Sequence, residues 1–278
     1  MTTEPTRTSA ERAAIFKALH ARDGIFLIPN PWDIGTARML EALGFEALAT
    51  TSAGHAFSVG QDDNTLTREA TLAHARAIVA ATDLPVSADL GNGFGDDPDT
   101  VAETIRLARE AGLAGASVED ATNQDAQPVY EIELAVERVR AASDAAHALP
   151  VPLVLMARAE NFIVGRPDLA DTIKRLQAFQ DAGADVLYAP GLKTIDDVRT
   201  VVRAVDRPVN VLAGLGGAQF TMPDLAAAGV RRVSTGSALA RAALGEFLRG
   251  VAEMRATGTF GYVDRAASSQ EVARLLSR

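Results

Sequence analysis

The sequence predicts a single (β/α)8 barrel, and three observations lead to that prediction. The chain has 278 residues, a length that is ordinary for one barrel of this kind. Short apolar runs alternate with segments whose apolar residues recur at helical spacing, as at Leu169, Ile173, Leu176 and Phe179. Eight such runs occur along the chain, each followed by a helical segment. An open, doubly wound sheet could also hold eight strands and is the alternative architecture.

The predicted strands are introduced in two ways that alternate along the chain. The first strand lies in GIFLIPNPWD, and the next in EALGFEALATTSAG follows a glycine of the type that ends helices. The third, in TDLPVSADLG, follows a proline, and the remaining five strands continue this glycine and proline alternation. The helix-ending glycines are Gly44, Gly112, Gly183 and Gly229. Apolar runs without polar alternation are typical of parallel strands that are buried on both faces.

The helical segments carry recognisable start signals, and the termini add two further helices. Pro98 after Asp97 is typical of a first-turn proline behind an N-cap, and Thr194 with Asp197 resembles a capping pair. We expect residues 1–22 to form a helix across the bottom of the barrel. Residues 260–278 lie beyond the eighth helix as a C-terminal extension, in which Ser268 or Ser269 caps one more short helix. Residues 1–278 therefore form one domain.

Composition excludes several classes of function. The formal net charge of −9 argues against a nucleic-acid partner, because phosphate binding needs clustered lysine and arginine. The chain has no cysteine, which excludes disulfides, thiolate metal sites and a cysteine nucleophile or base. No apolar run approaches the ~20 residues of a membrane span, and the first residues lack an apolar signal core. We therefore expect a cytoplasmic enzyme that binds neither nucleic acid nor membrane.

In a barrel the active site lies where the strands end and the βα loops begin. The polar side chains near those predicted exits are, in chain order, Asn30, Trp32, Asp33, Thr50, Thr51, Ser52, His55, Asp62, Asp63, Asp89, Glu119, Asp120, Arg158, Glu160, Asn161, Tyr188, Ser234 and Thr235. Several carboxylates from the second to fourth strands face one arginine on the fifth. Such crowding of negative charge favours a bound cation.

The absence of cysteine and the presence of only 4 histidines favour a hard cation with oxygen ligands. We expect Mg²⁺, with Mn²⁺ as the alternative, because Mg²⁺ keeps several waters and uses one or two direct carboxylates. Asp89 is the predicted direct ligand, while Asp62 and Glu119 hold metal-bound waters. Arg158 is predicted to bind a substrate carboxylate in bidentate fashion, although Glu160 or Glu119 could instead be its partner.

At these residues the chain resembles the isocitrate lyase/phosphoenolpyruvate mutase superfamily. The matching segments are TTSAG on the second strand, QDD before the third, ADLGNGFGD on the third, SVEDA on the fourth and ARAENF on the fifth. The resemblance spans roughly residues 20 to 250 and rests on the ordered set of motifs. It implies a barrel, Mg²⁺, and a 2-oxo acid or enolpyruvate ligand.

Site roles also follow from this resemblance by position. It implies that Ser52 and Gly54 contact the substrate, that Asp62, Asp89 and Glu119 form the metal shell, and that Arg158 binds carboxylate. Trp32 and Tyr188 are further candidates to line the pocket, with packing as the alternative role. The superfamily also implies a homo-oligomer, a dimer or tetramer, in which a C-terminal helix such as that in 260–278 is exchanged.

The chain departs from the superfamily pattern at two places. Gly91 stands where many members have a second acid, two residues after the metal aspartate. The segment after the fourth strand, ATNQDAQPVYE, lacks the Lys-Lys-Cys-Gly-His motif whose cysteine donates a proton in the true lyases. Cleavage of isocitrate or methylisocitrate by the usual route is therefore not expected.

These features favour three functions. The first is a Mg²⁺-dependent lyase acting on a small 2-oxo dicarboxylate, with oxaloacetate decarboxylation as the most economical reaction. The second is cleavage of a methylisocitrate-like substrate, or of the P–C bond of phosphonopyruvate, with His55 or Tyr188 as proton donor. The third is binding of a 2-oxo acid such as 2-oxoglutarate with little turnover.

Overall fold

The structure is a computed structural model that describes residues 6–148, 150–214 and 219–277. Eight parallel strands form one sheet in the order β1-β8-β7-β6-β5-β4-β3-β2, and each is followed by helix. This confirms the predicted (β/α)8 barrel. The strands are β1 (Phe26–Ile28), β2 (Leu48–Ala49), β3 (Val86–Asp89), β4 (Gly115–Glu119), β5 (Val154–Arg158), β6 (Val186–Tyr188), β7 (Val209–Leu212) and β8 (Arg232–Ser234).

The helices surround the strands and pack on their outer faces. Their bounds are α1 (Ser9–Ala21), α2 (Ile34–Ala42), α3 (Ser52–Ser58), α4 (Arg68–Ala80), α5 (Pro98–Glu110), α6 (Ile132–His147), α7 (Leu169–Asp181), α8 (Ile195–Ala204), α9 (Met222–Ala227), α10 (Ala238–Thr257) and α11 (Ser269–Leu276), with a 3₁₀ turn at Gly261–Arg265. Within the three described ranges, no helix is both long enough and apolar enough to span a bilayer.

The predicted helix-start signals and helix-ending glycines are present in the structure. Asp97 accepts a hydrogen bond from the Asp99 N–H and Pro98 occupies the first turn, while Thr194 accepts from the Asp197 N–H. The four helix-ending glycines have φ between +87° and +102°, a region that residues with a Cβ rarely adopt. These glycines allow each helix to stop and the chain to enter the next buried strand directly.

The N-terminal helix closes the bottom of the barrel, but it is shorter than predicted. It begins at Ser9 because Thr8 is its N-cap and forms a capping box with Glu11. The prediction that the helix starts at residue 1 is therefore wrong for residues 6–8, which precede it. Residues 1–5 of that prediction lie outside the described residues. Phe16 of α1 is fully buried against Gly115 of β4, where an added Cβ would lie 2.5 Å from the ring. Burying one phenylalanine contributes roughly 2–3 kcal/mol, which fixes α1 on the barrel.

The C-terminal extension contains the predicted extra helix. Ser268 caps α11 by accepting a hydrogen bond from the Glu271 N–H, and α11 packs against α2. Before it, α10 carries large apolar side chains that remain exposed, including Phe247 at 64% and Leu248 at 63%. Residue 278 of the predicted extension lies outside the described residues.

The barrel closes between β1 and β2 through a side chain rather than a strand ladder. The Ala49 N–H donates to the Pro29 carbonyl, but these two strands are not otherwise paired in the described sheet. Buried Asn30 donates from Nδ2 to the Thr50 carbonyl, and its Oδ1 accepts from the backbone N–H groups of Thr235 and Gly236. One amide therefore connects the carboxyl ends of β1, β2 and β8.

Candidate active site

Arg158, the last residue of β5, lies at the centre of an acidic cluster at the carboxyl end of the barrel. Its Nη1 is 2.9 Å from Asp89 Oδ1, its Nη2 is 3.1 Å from Glu119 Oε2, and its Nε is 2.8 Å from Glu160 Oε1. The guanidinium also faces the ring of Tyr188 at 5.2 Å. Parallel register explains the gathering, because Glu119 pairs with Arg158 and Arg158 with Tyr188 on neighbouring strands.

Asp89 is held at the end of β3 by groups from two other segments. Its N–H donates to the Thr50 hydroxyl at 3.1 Å, and its Oδ2 accepts from the Ser52 hydroxyl at 3.0 Å. Ser52 lies in this position because it begins α3, directly after the N-cap Thr51. The Asp89 carboxylate is thus shared between Ser52 on one side and Arg158 on the other.

The cluster contains more negative than positive groups. Burial raises the pKa of Glu119 well above its usual range, and Arg158 opposes this shift only in part. Burial likewise raises the pKa of Glu160. Although burial alone would lower the pKa of Arg158, the carboxylates of Glu119, Glu160 and Asp89 raise it, so the guanidinium stays charged. One arginine therefore does not satisfy the acids around it.

A cavity of about 230 Å³ opens beside this cluster. Its polar lining comes from strand ends around the barrel and includes Asn30, Thr50, Thr51, Ser52, Asp63, Ser87, Asp89, Ser117, Arg158, Tyr188, Arg232, Ser234 and Ser237. Its apolar lining includes Met156, Ile163, Pro190 and Leu212. A space of this size with many oxygen atoms and two arginines suits a small, polar, anionic molecule.

The donor set fits a hydrated divalent cation better than an ion enclosed by protein alone. Among the described residues, no three acidic or histidine side chains lie close enough together to enclose a metal ion. Mg²⁺ commonly takes one or two protein carboxylates and keeps its waters, so Asp89 could hold it with Glu119 and Asp63 nearby. Burial also raises the pKa of Asp63, which indicates a third acid whose charge is not compensated.

Gly91 could not readily be replaced by the second acid that many superfamily members have. It has φ +51°, its N–H points to Asp89 Oδ1 at 3.3 Å, and its carbonyl accepts from the Glu119 N–H at 3.0 Å. A side chain at this left-handed position is strained. Gly91 therefore contributes backbone that orders Asp89 and Glu119.

The structure gives Asp63 the position that the sequence suggested for Asp62. Asp62 is exposed and does not line the cavity; its carbonyl accepts from the Thr65 hydroxyl at 2.6 Å. Asp63 lines the cavity beside Ser52 and Asp89. The turn that follows has Asn64 at φ +61°. The structure therefore places Asp63, and not Asp62, at the cavity, and the role of Asp62 in a metal shell stays a prediction.

Some of the predicted substrate contacts line the cavity and others do not. Ser52, Arg158 and Tyr188 line the cavity, whereas Gly54 and Trp32 are not among its lining residues. The Gly54 N–H donates to the hydroxyl of Thr51, the N-cap of α3. A Cβ at Gly54 would lie 2.6 Å from Thr51 Cγ2 and 3.1 Å from Trp32 Cβ. These two residues thus pack the wall behind Ser52.

His55, considered above as a proton donor, also faces away from the cavity. Its ring stacks on His74 with centroids 3.7 Å apart, and burial lowers its pKa. The pKa of His74 is lowered to about 4, first by burial and then by His55. Of the two donors considered, Tyr188 is the one that lines the cavity.

Sequence reasoning missed Arg232 altogether. It lies inside β8, is 1% exposed, and lines the cavity from within the barrel. Two adjacent arginines in an otherwise apolar strand, in GVRRVSTG, are the signal that could have revealed it. Alternation along a strand requires that one of the pair point inward.

Comparisons with known proteins identify the family of the chain. The family model described as phosphoenolpyruvate phosphomutase matches residues 16–255. A 2-methylisocitrate lyase of Shewanella oneidensis is 32% identical, over 71% of this chain and 69% of its own length. A candidate lyase/mutase of Burkholderia cenocepacia J2315 is 58% identical with a TM-score of 0.95, over 97% of both chains.

Two more distant structures show which ligands this fold accommodates in other proteins. Oxaloacetate acetylhydrolase with its product oxalate is 25% identical with a TM-score of 0.85, over 99% of this chain and 96% of that one. Phosphonopyruvate hydrolase with oxalate and Mg²⁺ is 26% identical with a TM-score of 0.83, over 98% of this chain and 95% of that one. With the family model spanning most of the barrel, the chain belongs to the phosphoenolpyruvate phosphomutase family, among the carbon–carbon lyases and mutases of the isocitrate lyase/phosphoenolpyruvate mutase superfamily.

Proposed function

We propose that this enzyme is a divalent-metal-dependent lyase acting on a small 2-oxo dicarboxylate, with decarboxylation of oxaloacetate as its reaction. The observation that carries the proposal is the 230 Å³ cavity, in which acidic side chains and arginines face one another around oxygen-rich walls. The oxalate bound by two distant structural relatives has the size and charge that such a cavity suits. We propose Mg²⁺ as the metal, because the available donors are oxygen atoms.

The reaction needs no acid–base residue on a mobile loop. The bond from C3 to the departing carboxylate breaks, CO₂ leaves, and the electron pair is delocalised into the enolate of pyruvate. A bound divalent cation would supply Lewis acidity toward the 2-oxo group. Ser52 and Arg158 hold Asp89 in place, so the acid that would bind the cation is already oriented in the unliganded chain.

The segment after β4 supports this choice over cleavage of a tricarboxylate. Its ends are joined by a bridge between Ala121 and Val129, and the Thr122 hydroxyl donates to the Gln127 carbonyl within it. The segment ATNQDAQPVYE has no cysteine, lysine or histidine to protonate a leaving group. Enolate protonation would instead come from water or from Tyr188, whose pKa is raised above its usual range by burial so that the hydroxyl keeps its proton.

Cleavage of a methylisocitrate-like substrate or of phosphonopyruvate is the second candidate, favoured by the names of several relatives. It also would depend on Tyr188 as the donor. Binding of a 2-oxo acid without efficient turnover is the third candidate, and Gly91 in place of a second acid favours it. Release of glyoxylate or phosphate identifies the second candidate, and tight binding of 2-oxoglutarate without product identifies the third.

The test is pyruvate formation from oxaloacetate with and without Mg²⁺. We expect turnover well above that of free Mg²⁺ and its loss on chelation; a rate equal to that of the free metal would contradict the proposal. Asp63→Asn is expected to weaken the metal dependence, and Asp62→Asn is the matched control on the adjacent, exposed acid. Equal effects of the two substitutions would show that the cavity is not the metal site.

We also propose that the protein is a homo-oligomer, a dimer or tetramer. The support is the apolar surface of α10, where Phe247 and Leu248 are 64% and 63% exposed. Exposed large apolar side chains in a cluster are typical of surfaces that contact another chain.

A further inference from the structure

Arg232 is a buried cation with unused hydrogen-bond donors. It is 1% exposed and pairs in register with Phe26 of β1 and Asn210 of β7, which places it in the lower part of the barrel. Within the described residues, neither Nε nor Nη1 of Arg232 has a hydrogen-bond partner. Burial lowers its pKa to about 10, so the side chain is still positive at neutral pH.

Arg158, the other arginine of the cavity, differs from Arg232 because its donors are engaged by protein carboxylates. Each of the three guanidinium nitrogens of Arg158 already contacts a carboxylate of the protein. For a substrate carboxylate, Arg158 has left only the second N–H on each of Nη1 and Nη2, next to protein carboxylates that repel a further anion. Arg232 offers donors that no described residue uses, and it lines the same cavity.

Packing alone does not account for Arg232. Its guanidinium faces the ring of Phe16 at 5.7 Å, but a ring face contacts the plane of a guanidinium and leaves the in-plane N–H groups unbonded. Buried charges without a partner are strongly unfavourable, and proteins usually pair them. His20, a neighbour of Arg232 on α1, is kept neutral because burial and then Arg232 lower its pKa to about 3, so it does not compensate the charge.

We propose that Arg232 forms the floor of the substrate site and binds one carboxylate of the 2-oxo acid. This deepens the proposed function and rests on it for the identity of the substrate. The carboxylate approaches from the cavity, whose lining also includes Ser234, Tyr188 and Met156. For the decarboxylation, it is the carboxylate that pyruvate retains, because pairing with a buried cation stabilises an anion against departure as neutral CO₂.

The experiment measures binding of oxalate by calorimetry, at fixed Mg²⁺, to the full-length protein and its variants. We expect Arg232→Met to weaken oxalate binding about 100-fold, the scale of removing one partner from a buried charged hydrogen bond. Arg232→Lys keeps the charge but loses the planar donors, and its affinity should be intermediate. Arg231→Met is the matched control, because the Arg231 side chain binds the backbone carbonyls of Arg22 and Gly24 outside the cavity.

Thermal unfolding without ligand supplies a second readout. If the unpaired cation serves ligand binding, Arg232→Met should melt at the same temperature as wild type or higher, while losing the stabilisation that oxalate gives. A variant that melts much lower would reveal a structural role and overturn the inference, as would wild-type oxalate affinity in Arg232→Met. Unchanged oxalate binding by Arg232→Lys overturns it equally.

The subsite and the reaction are tested separately. Arg232-dependent oxalate binding by a wild-type protein that does not decarboxylate oxaloacetate would support the subsite and reject the reaction. Decarboxylation that persists in an Arg232→Met variant with wild-type oxalate affinity would support the reaction and reject the subsite. A wild-type protein that binds no oxalate at all overturns the subsite.

Discussion

Replacing Arg158 by methionine removes the cation that Asp89, Glu119 and Glu160 share. The side chain is 15% exposed, and its partners Glu119 and Glu160 are 8% and 2% exposed, so water screens these pairs poorly. Removing one partner of a buried ion pair costs about 3–5 kcal/mol. We expect Arg158→Met to lower the free energy of unfolding by that amount at pH 8.

The loss should shrink in acid, and the sign follows from proton binding. Arg158 lowers the pKa of Glu119 and Glu160, so its removal raises both values further above those in the unfolded chain. The folded variant then binds more protons than wild type, and its stability deficit falls by about 1.4 kcal/mol per pH unit for each extra proton. The deficit is therefore expected to be larger at pH 8 than at pH 5.

Urea unfolding at the two pH values, without metal, measures this difference. Arg22→Met is the control, because Arg22 and Glu46 form a pair with side chains 41% and 53% exposed. Such surface pairs contribute at most about 1 kcal/mol. A deficit for Arg158→Met that is the same at both pH values, or no larger than that of the control, would refute the electrostatic account of the cluster.

Three further predictions concern the surroundings of the site. Burial lowers the pKa of His20 from 6.5 to about 3, so its contribution to stability is full above pH 6.5 and declines as the pH falls toward 3. His20→Phe should therefore reduce the loss of stability in acid, measured as the urea midpoint against pH. An unchanged pH dependence contradicts this. Gly54→Ala should destabilise by about 1–3 kcal/mol through contact with Thr51, whereas Gly35→Ala, in an open helix position, should not; weakened oxalate binding without lost stability would instead make Gly54 a substrate contact. Phe247→Glu should shift an oligomer to a smaller species in light scattering, and a monomeric wild type would exclude that interface.

The repeating part of the fold could be predicted from sequence because its signals are local. Glycines such as Gly112 and prolines before strands mark each helix end, and parallel strands deliver Asp89 and Arg158 to one rim without knowledge of loop geometry. The predicted start of the first helix is wrong because the capping box of Thr8 and Glu11, and not the apolar pattern, sets where the helix begins.

The errors in the site have the same physical origin. Asp62 and Asp63 are adjacent acids in a loop, and of the two only Asp63 lines the cavity. Arg231 and Arg232 are adjacent on a strand, and alternation states that one faces inward without stating which. Orientation of this kind is set by tertiary register, here the pairing of Arg232 with Phe26.

The side-chain amide of Asn30 lies at the rim of the cavity and also spans the gap between β1 and β2. Opening of the β1–β2 gap would break its bond to the Thr50 carbonyl and leave its bonds to Thr235 and Gly236 on the paired β8 side, and so would distort the wall against which a ligand rests. A ligand that binds only the closed barrel is therefore expected to slow hydrogen exchange of the Ala49 amide, whose N–H donates across the gap to the Pro29 carbonyl. The gap in the strand ladder and the wall of the ligand cavity are therefore stabilised by the same contacts.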